Sequence, residues 1–361
     1  MNASPRVSLI MPVHNRAHLM NRVLERLAEN TTYENLELVV VDDASTDDSV
    51  EVLSGWADSG RIPGMRVLSN EGRGAIDALN TALNASTGEF VVQLDDDVTV
   101  ETYAWVERML DLMAVDDSVG VVTAKVVFDS GHLQCCGVNV VSPAGWHERP
   151  LFPSEPVGSR RFLNRVRERP REGESGEAER RVAEVDSGIG CCMMYRRDDA
   201  LAVGGYDENY SPVWFDDVDL CIAIRTLGRK AFYTPEVRAI HHFGARAPDR
   251  PRARFRDLKS AALRRSAGRL PGGVRSRLEL RRNVDLQGQY TAEQCARLRH
   301  HHAYWRSKWG WDALNPDMDE VRRRWGATEI CWATDPDRRV AGELIVEAYE
   351  AAHTASGAAT A

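Results

Sequence analysis

The chain has 361 residues, 43% of them hydrophobic and 28% charged, with a formal net charge of −8. That balance suits a globular protein with ample core and excludes a collagen, a coiled coil and wholesale disorder. The length fits two domains, or one large α/β unit with a long tail. No apolar run approaches the roughly 18–20 residues of a membrane helix, and Met1 to Arg6 show no basic-then-apolar leader pattern, so a cytoplasmic protein without transmembrane segments is expected. Seven cysteines, among them the pairs Cys135-Cys136 and Cys191-Cys192, show no CxxC spacing and read as buried free thiols. The acidic balance argues against nucleic acid as a partner.

Val7 to Met11 is an apolar, β-branched run ending at Pro12, after which Leu19, Met20, Val23, Leu24 and Leu27 share one helical face. Leu36 to Val41 predicts a second strand that stops at Asp42-Asp43. Ser45 with Asp47 and Asp48 predicts the capped start of a second helix. Met65 to Leu68, Phe90 to Leu94 and Val119 to Phe128 predict further strands, separated by helical patterns at Gly74 to Ala85 and around Val106 to Met113. Such βα alternation implies a parallel or mixed sheet covered by helices, with ligands beyond the carboxyl ends of the strands. Two of those ends are acidic, at Asp42-Asp43 and at Asp95-Asp96-Asp97.

The stretch 158–184, dense in Arg and Glu, predicts a mobile surface loop. A helical pattern opens at Trp214-Phe215-Asp216-Asp217 and runs to Leu227. A short strand over Lys230 to Tyr233 leads through Pro235 to His241-His242. Arg246 to Arg282 is strongly basic, and Trp305, Trp309, Trp311, Trp325 and Trp332 mark a helical C-terminal extension.

Three consecutive carboxylates repel one another, and a hard divalent cation would relieve that. In an extended segment Asp95 and Asp97 point the same way and can share one Mg²⁺ or Mn²⁺, while Asp96 faces elsewhere. Such an ion keeps positions open for phosphate oxygens, which makes a diphosphate substrate the natural one.

In order and spacing, Val7 to Arg16, Val39 to Asp47, Gly74, Asn80, Gly88-Glu89, Leu94 to Asp97, Gly204 to Glu208, Asp216 to Leu220 and His241 resemble the family 2 glycosyltransferases. The resemblance covers about Pro5 to Gly244. It implies a GT-A-type α/β fold: a mixed, mostly parallel sheet sandwiched by helices, with a nucleotide-binding half over 1–128 and an acceptor half over 129–244. The segment 245–361 would be an extension. The implied reaction is inverting transfer from a nucleotide diphosphate sugar, most naturally a UDP-sugar, to a hydroxyl or amine.

Residue by residue, the resemblance makes Pro12 and His14 the wall for the base, with His14 standing where relatives commonly have Tyr. Asp43 would accept the uracil N–H, and Arg73 would reach the base or the diphosphate. Asp96 is assigned with them to the donor. Asp95 and Asp97 would hold the cation, with His241 rather than His242 as third contact. Asp217 matches the base that takes the acceptor proton, its ionisation aided by the helix start; Asp216 is the rival, because the family's Glu-Asp is Asp-Asp here. Trp214 and Phe215 suit an acceptor wall or the core. Gly188 and Gly190 suit close backbone approach to a ligand or a strained turn. A nucleotidyltransferase would share the acidic site, but the segment Pro12 to Arg16 lacks the glycine-rich, basic phosphate loop. A non-catalytic nucleotide- or carbohydrate-binding protein would not need Asp217 and His241 together with the acidic pair. The basic stretch suits a phosphate-bearing acceptor or an acidic carrier. An Ala- and Arg-rich composition suggests a bacterial envelope polymer or natural product pathway.

Overall fold

A computed structural model describes residues 4–139, 147–148, 170–242, 292–311 and 339–358. Residues 158–169 of the charged stretch, the basic stretch Arg246 to Arg282, and Trp325 and Trp332 lie outside the described residues. The chain opens with β1 (Val7–Val13), α1 (Ala17–Asn30), β2 (Leu36–Asp43), α2 (Ser49–Ser59), β3 (Met65–Asn70), α3 (Ala75–Ala85), β4 (Phe90–Leu94), β5 (Val98–Val100), α4 (Trp105–Met113) and β6 (Val119–Phe128). There follow β7 (Leu133–Cys135), β8 (Val138–Asn139), β9 (His147–Glu148), α5 (Glu177–Arg180), β10 (Ala183–Val185), β11 (Cys192–Arg196), α6 (Arg197–Ala202), a 3-10 turn (Glu208–Tyr210), α7 (Asp216–Arg225) and β12 (Lys230–His241). Two C-terminal helices, α8 (Ala292–Trp309) and α9 (Arg339–Ala358), complete it.

One ten-stranded mixed sheet has the order β10-β12-β6-β11-β4-β1-β2-β3, with β5 on β12 and β7 on β6. β1, β2 and β4 are buried along their whole length, which is why they read as unbroken apolar runs rather than alternating ones. Leu19, Met20, Val23, Leu24 and Leu27 form the buried face of α1. β1 pairs in parallel with β2 and β4, and β12 in parallel with β6, while β11 runs antiparallel between β4 and β6. The carboxyl ends of β1, β2, β4, β6 and β12 therefore share one edge with the amino end of β11. His14, Asp43, Asp95 and His241 all follow or end strands at that edge.

Several expected boundaries move. β1 continues through Pro12 to Val13; its pairing with β4 ends at Ile10, so a residue without an N–H is tolerated there. β12 is a twelve-residue strand rather than a short one, and Pro235 sits in the register shift between Thr234 and Arg238. Ser45 caps nothing: its Oγ accepts the Asn15 N–H at 2.9 Å, and the first turn of α2 is bound by Asp47, whose Oδ1 accepts the Ser49 N–H at 3.0 Å. The charged stretch is anchored from residue 170 onward, against the mobile loop expected there. Glu172 pairs with Lys125 at 2.9 Å and Arg238 at 2.8 Å, and buried Glu179 accepts the Gly173 N–H at 2.8 Å. Mixed-sign charge is a signature of solvation only when partners are lacking, and here the partners come from distant strands. Cys135, Cys136, Cys191, Cys192 and Cys221 are buried and outside any disulfide, and burial pushes the Cys192 thiol up to about 12.

Candidate metal and donor site

Asp95, Asp97 and His241 each offer one ligand atom, and these atoms lie within 4.8 Å of one another. His241 Nε2 stands 3.0 Å from Asp97 Oδ1, and Nδ1 is 3.0 Å from Gln134 Oε1 on β7, which orients the ring. His242 faces the other side, with Nε2 3.1 Å from Thr99 Oγ1 and Nδ1 against Asp129. Alternation along β12 sends the two imidazoles apart.

Burial pushes the Asp95 carboxyl up to about 7; Asp97, Asp96 and Asp217 add to the rise and His241 opposes it. Burial would raise Asp97 too, but the His241 hydrogen bond and the charges of His241 and Arg16 outweigh it and hold Asp97 low. The cluster thus carries negative charge that its protein partners only partly compensate. Two carboxylates and an oriented imidazole are a fitting donor set for a divalent cation.

Arg16, to which the sequence attached no role, joins this cluster to the start of β1's loop. Its Nε donates to Asp96 Oδ1 at 2.8 Å and its Nη2 to Asp97 Oδ2 at 3.2 Å, while the His14 N–H donates to Asp96 Oδ2 at 3.2 Å. Asp96 is thus held by Arg16 and lies outside the Asp95–Asp97–His241 group. Burial also raises Asp96, to about 6, with Arg16 pulling the other way. The Arg16 backbone is fixed in turn, its N–H donating to Ser49 Oγ at 2.9 Å. Nothing local marks this arginine, since its partners lie 80 and 81 residues away.

Asn15, in the left-handed region at φ 54, locks the same loop to the one after β2. Its Oδ1 accepts the Thr46 N–H at 2.8 Å, so Nδ2 is the donor to His14 Nε2 at 2.8 Å. The hydrogen-bond pattern thereby assigns the proton to His14 Nδ1, which donates to the Asp43 carbonyl at 2.7 Å. His14 is exposed with both ring nitrogens engaged, and Pro12 is buried within β1. Asp43 is 5% exposed; Oδ2 accepts the Gly74 N–H at 2.8 Å, and Oδ1 is buried with no hydrogen-bond partner. Arg73 is not drawn into the cluster: its guanidinium pairs on the surface with Glu71 at 2.9 Å and Asp77 at 3.9 Å.

Asp217 lies across the edge. Its Oδ2 accepts the Gly190 N–H at 2.9 Å and its Oδ1 the Val218 N–H at 2.7 Å, while the next carbonyl, of Cys191, accepts the Asp95 N–H at 3.4 Å. Two residues of backbone thus connect the Asp217 carboxylate with the cation ligands. Burial raises Asp217 against these hydrogen bonds, and raises Asp216 well above its ordinary range with Asp217 adding to it. At this helix start burial therefore opposes the dipole and the hydrogen bonds that favour the ionised Asp217. Neither Gly188 nor Gly190 has room for a side chain. A Cβ at Gly190 would lie 2.3 Å from Gln93 Nε2, and one at Gly188 2.5 Å from Thr123 Cβ. Phe215 is buried against Tyr210 and α8, whereas half-buried Trp214 lies under the Arg297 guanidinium at 5.6 Å.

Comparison with known proteins agrees with this geometry at the level of family. The model of "Glycosyl transferase family 2" matches residues 8–202. The chain belongs to that family. The protein y4gI of Sinorhizobium fredii is 32% identical over 267 residues, covering 71% of this chain and 27% of that one. The O-antigen biosynthesis protein RfbC of Myxococcus xanthus is 28% identical over 249 residues, covering 68% and 18%. The chain thus spans about a quarter or less of the length of these relatives. The crystal structure of GalNAc-T7 with UDP, GalNAc and Mn²⁺ has the same fold, at a TM-score of 0.50 and 17% identity over 67% of this chain and 44% of that one. Among the described residues no helix is long and apolar enough to cross a membrane.

Proposed function

We propose that this chain catalyses inverting transfer of a sugar from a nucleotide diphosphate donor, a UDP-sugar in the first instance, to an acceptor hydroxyl or amine. The observation that carries the reading is the convergence of the Asp95–Asp97–His241 cluster with Asp217 at one sheet edge, linked through Gly190 and Cys191. A divalent cation there would stabilise charge on the departing nucleotide diphosphate. Asp95, Asp97 and His241 would hold it, with Arg16 keeping Asp96 and Asp97 in place.

The buried Asp43 Oδ1 lacks a hydrogen-bond donor, and a uracil ring N–H would supply one, which adenine, with no ring N–H on its pairing edge, would not. With both its ring nitrogens engaged, His14 would offer a base its flat face. Arg73 would have to leave Glu71 and Asp77 to reach the diphosphate. Asp217 would take the acceptor proton as the new bond forms; burial raises its affinity for a proton, while its two N–H donors favour the ionised form and hold it in place. The reading includes a cytoplasmic setting and an envelope or natural product pathway; the O-antigen role in the name of the Myxococcus relative is in keeping with it.

The test is hydrolysis and transfer with a panel of UDP- and GDP-sugars, with Mn²⁺, with Mg²⁺ and with excess chelator. Activity with a UDP-sugar that vanishes in chelator and in Asp97→Ala is expected. Full turnover in chelator, or nucleotidyl transfer from a sugar phosphate, would overturn the reading.

A further inference from the structure

Asp219, the third carboxylate of the first turn of α7, is 2% exposed and bound by groups from outside that helix. Lys308 Nζ donates to its Oδ2 at 2.6 Å, and Trp309 Nε1 to its Oδ1 at 2.7 Å. The Tyr210 hydroxyl donates to the same Oδ1 at 3.1 Å. Lys308 also donates to Asp207 Oδ2 at 2.7 Å, where the Tyr304 hydroxyl adds a bond of 2.8 Å. Lys308 and Trp309 stand at the end of α8, 89 and 90 residues along the chain from Asp219. A carboxylate in a first helical turn is already favoured by the free N–H groups and the dipole there. Enclosing it with an ammonium and an indole from so distant an element does something more than complete the helix.

The residues just before Asp216 show what needs holding. Trp214 and Phe215 are consecutive and both left-handed, at φ 81 and 73, a conformation unfavourable for side chains of this size and kept only when the surroundings impose it. α8 packs on Phe215: the ring meets His302 edge-on at 4.9 Å and Trp305 at 5.9 Å. The same helix therefore grips α7's first turn on both sides of Asp216 and Asp217, at Phe215 through rings and at Asp219 through charge.

We propose that Lys308 is a positioning residue for Asp217: by clamping Asp219 it fixes the first turn of α7, and with it the carboxylate that faces the Asp95–Asp97–His241 cluster. The inference rests on the reading of Asp217 as the base, and it gives α8 a part in the reaction although α8 contributes no group to the candidate site itself.

The experiment compares Lys308→Met with wild type in the full chain by hydrogen exchange, followed by mass spectrometry of peptides covering residues 214–221. It adds the kinetics of Mn²⁺-dependent UDP-sugar hydrolysis. Lys308→Met should speed exchange in that segment by about tenfold or more while β1 to β4 keep wild-type protection. It should lower kcat by about thirtyfold with donor KM within about twofold, the signature of a displaced base rather than a damaged donor site. Lys308→Arg should restore most of both. Tyr304→Phe, which touches Asp207 and leaves Asp219 its partners, should change neither. If Lys308→Met does not fold, Trp309→Phe removes the other α8 donor to Asp219 and should give the same pattern in weaker form. Unchanged exchange over 214–221, faster exchange spread evenly through the sheet, or faster local exchange with undiminished kcat would each overturn the proposal. Should wild type hydrolyse no UDP-sugar, the functional reading fails, while the exchange comparison still decides whether Lys308 holds α7.

Discussion

In the proposed reaction Asp217 has to be basic enough to take a proton and fixed enough to meet it in line. Its two N–H donors, from Gly190 and Val218, serve the second need while leaving the carboxylate acceptor-only. Asp217→Asn keeps the size but cannot accept a proton, and its amide would set an N–H against one of those donors. It should lower kcat by about a hundredfold or more with little change in nucleotide affinity. A crippling Asp216→Asn beside a mild Asp217→Asn would reverse the assignment, and retention of anomeric configuration, read by proton NMR, would contradict a single displacement. Arg16 makes a different prediction. It is the guanidinium paired with both Asp96 and Asp97, and removing it leaves their charges less compensated. Arg16→Met should cost on the order of 2 kcal/mol without metal. Added Mn²⁺ should then raise the Tm of the variant by more than that of wild type, because the cation replaces lost positive charge. Equal Mn²⁺ shifts in calorimetry would refute this.

Among the elements, β2 holds a charge where a buried parallel strand ordinarily has none. Glu37, 2% exposed, accepts the Ser8 hydroxyl at 2.6 Å, the Thr87 N–H at 2.6 Å and hydroxyl at 2.9 Å, and the Arg66 guanidinium at 2.9 Å. It thereby ties β1, β2, β3 and the turn before β4 at the edge remote from the site. Burial alone would raise its pKa, but these bonds outweigh it and hold the carboxyl at about 2, against 4.5 in the absence of partners. A depressed folded-state pKa contributes stability that is fully present above the unfolded value and is lost as pH falls through the folded one. Wild type should therefore exceed Glu37→Gln by on the order of 2 kcal/mol near neutral pH, after allowance for the exposed arginines. In urea melts that gap should close as the pH drops from 4.5 toward 2. A constant gap across that window would show that Glu37 acts through shape rather than charge. Elsewhere helix and strand were legible wherever burial follows the local period: the five-residue face of α1 and the limits of β4 and β6 are as the sequence indicates. β12 was not, because Pro235 reads locally as a stop and only its neighbour β6 shows that the ladder resumes beyond it.

For the molecule as a whole, the question is whether the C-terminal helices are an appendage. Trp305, Trp309 and Trp311 are buried in the same core as the sheet, and Ile345, Val346 and Tyr349 of α9 are buried as well, with α9 packing on β10. A division into a self-sufficient unit of residues 1–244 and a separate tail would leave Phe215, Tyr210 and Asp219 uncovered. A fragment ending at Gly244 should therefore bind ANS and melt at least about 5 °C below the full chain. A fragment with wild-type Tm and no dye binding would make the extension dispensable.

Family, βα order and the residue types that gather at the strand ends are readable in the chain alone, because periodicity, strand-end acids and motif spacing are properties of the sequence pattern. That pattern also indicated Asp95 and Asp97 as a pair, although they lie in the turn between β4 and β5, closed by the Val98 N–H on the Asp95 carbonyl at 3.2 Å, and not in the extended segment expected; His241 ahead of His242 followed from the family motif and the extended backbone at the end of β12. It takes the folded chain to show that Arg16 secures Asp96 and Asp97, that a side chain at Gly188 or Gly190 would meet Thr123 or Gln93, and that Lys308 reaches Asp219. Each of these joins residues distant along the chain, and no local pattern encodes which of many arginines, glycines or lysines the fold will carry to a given carboxylate.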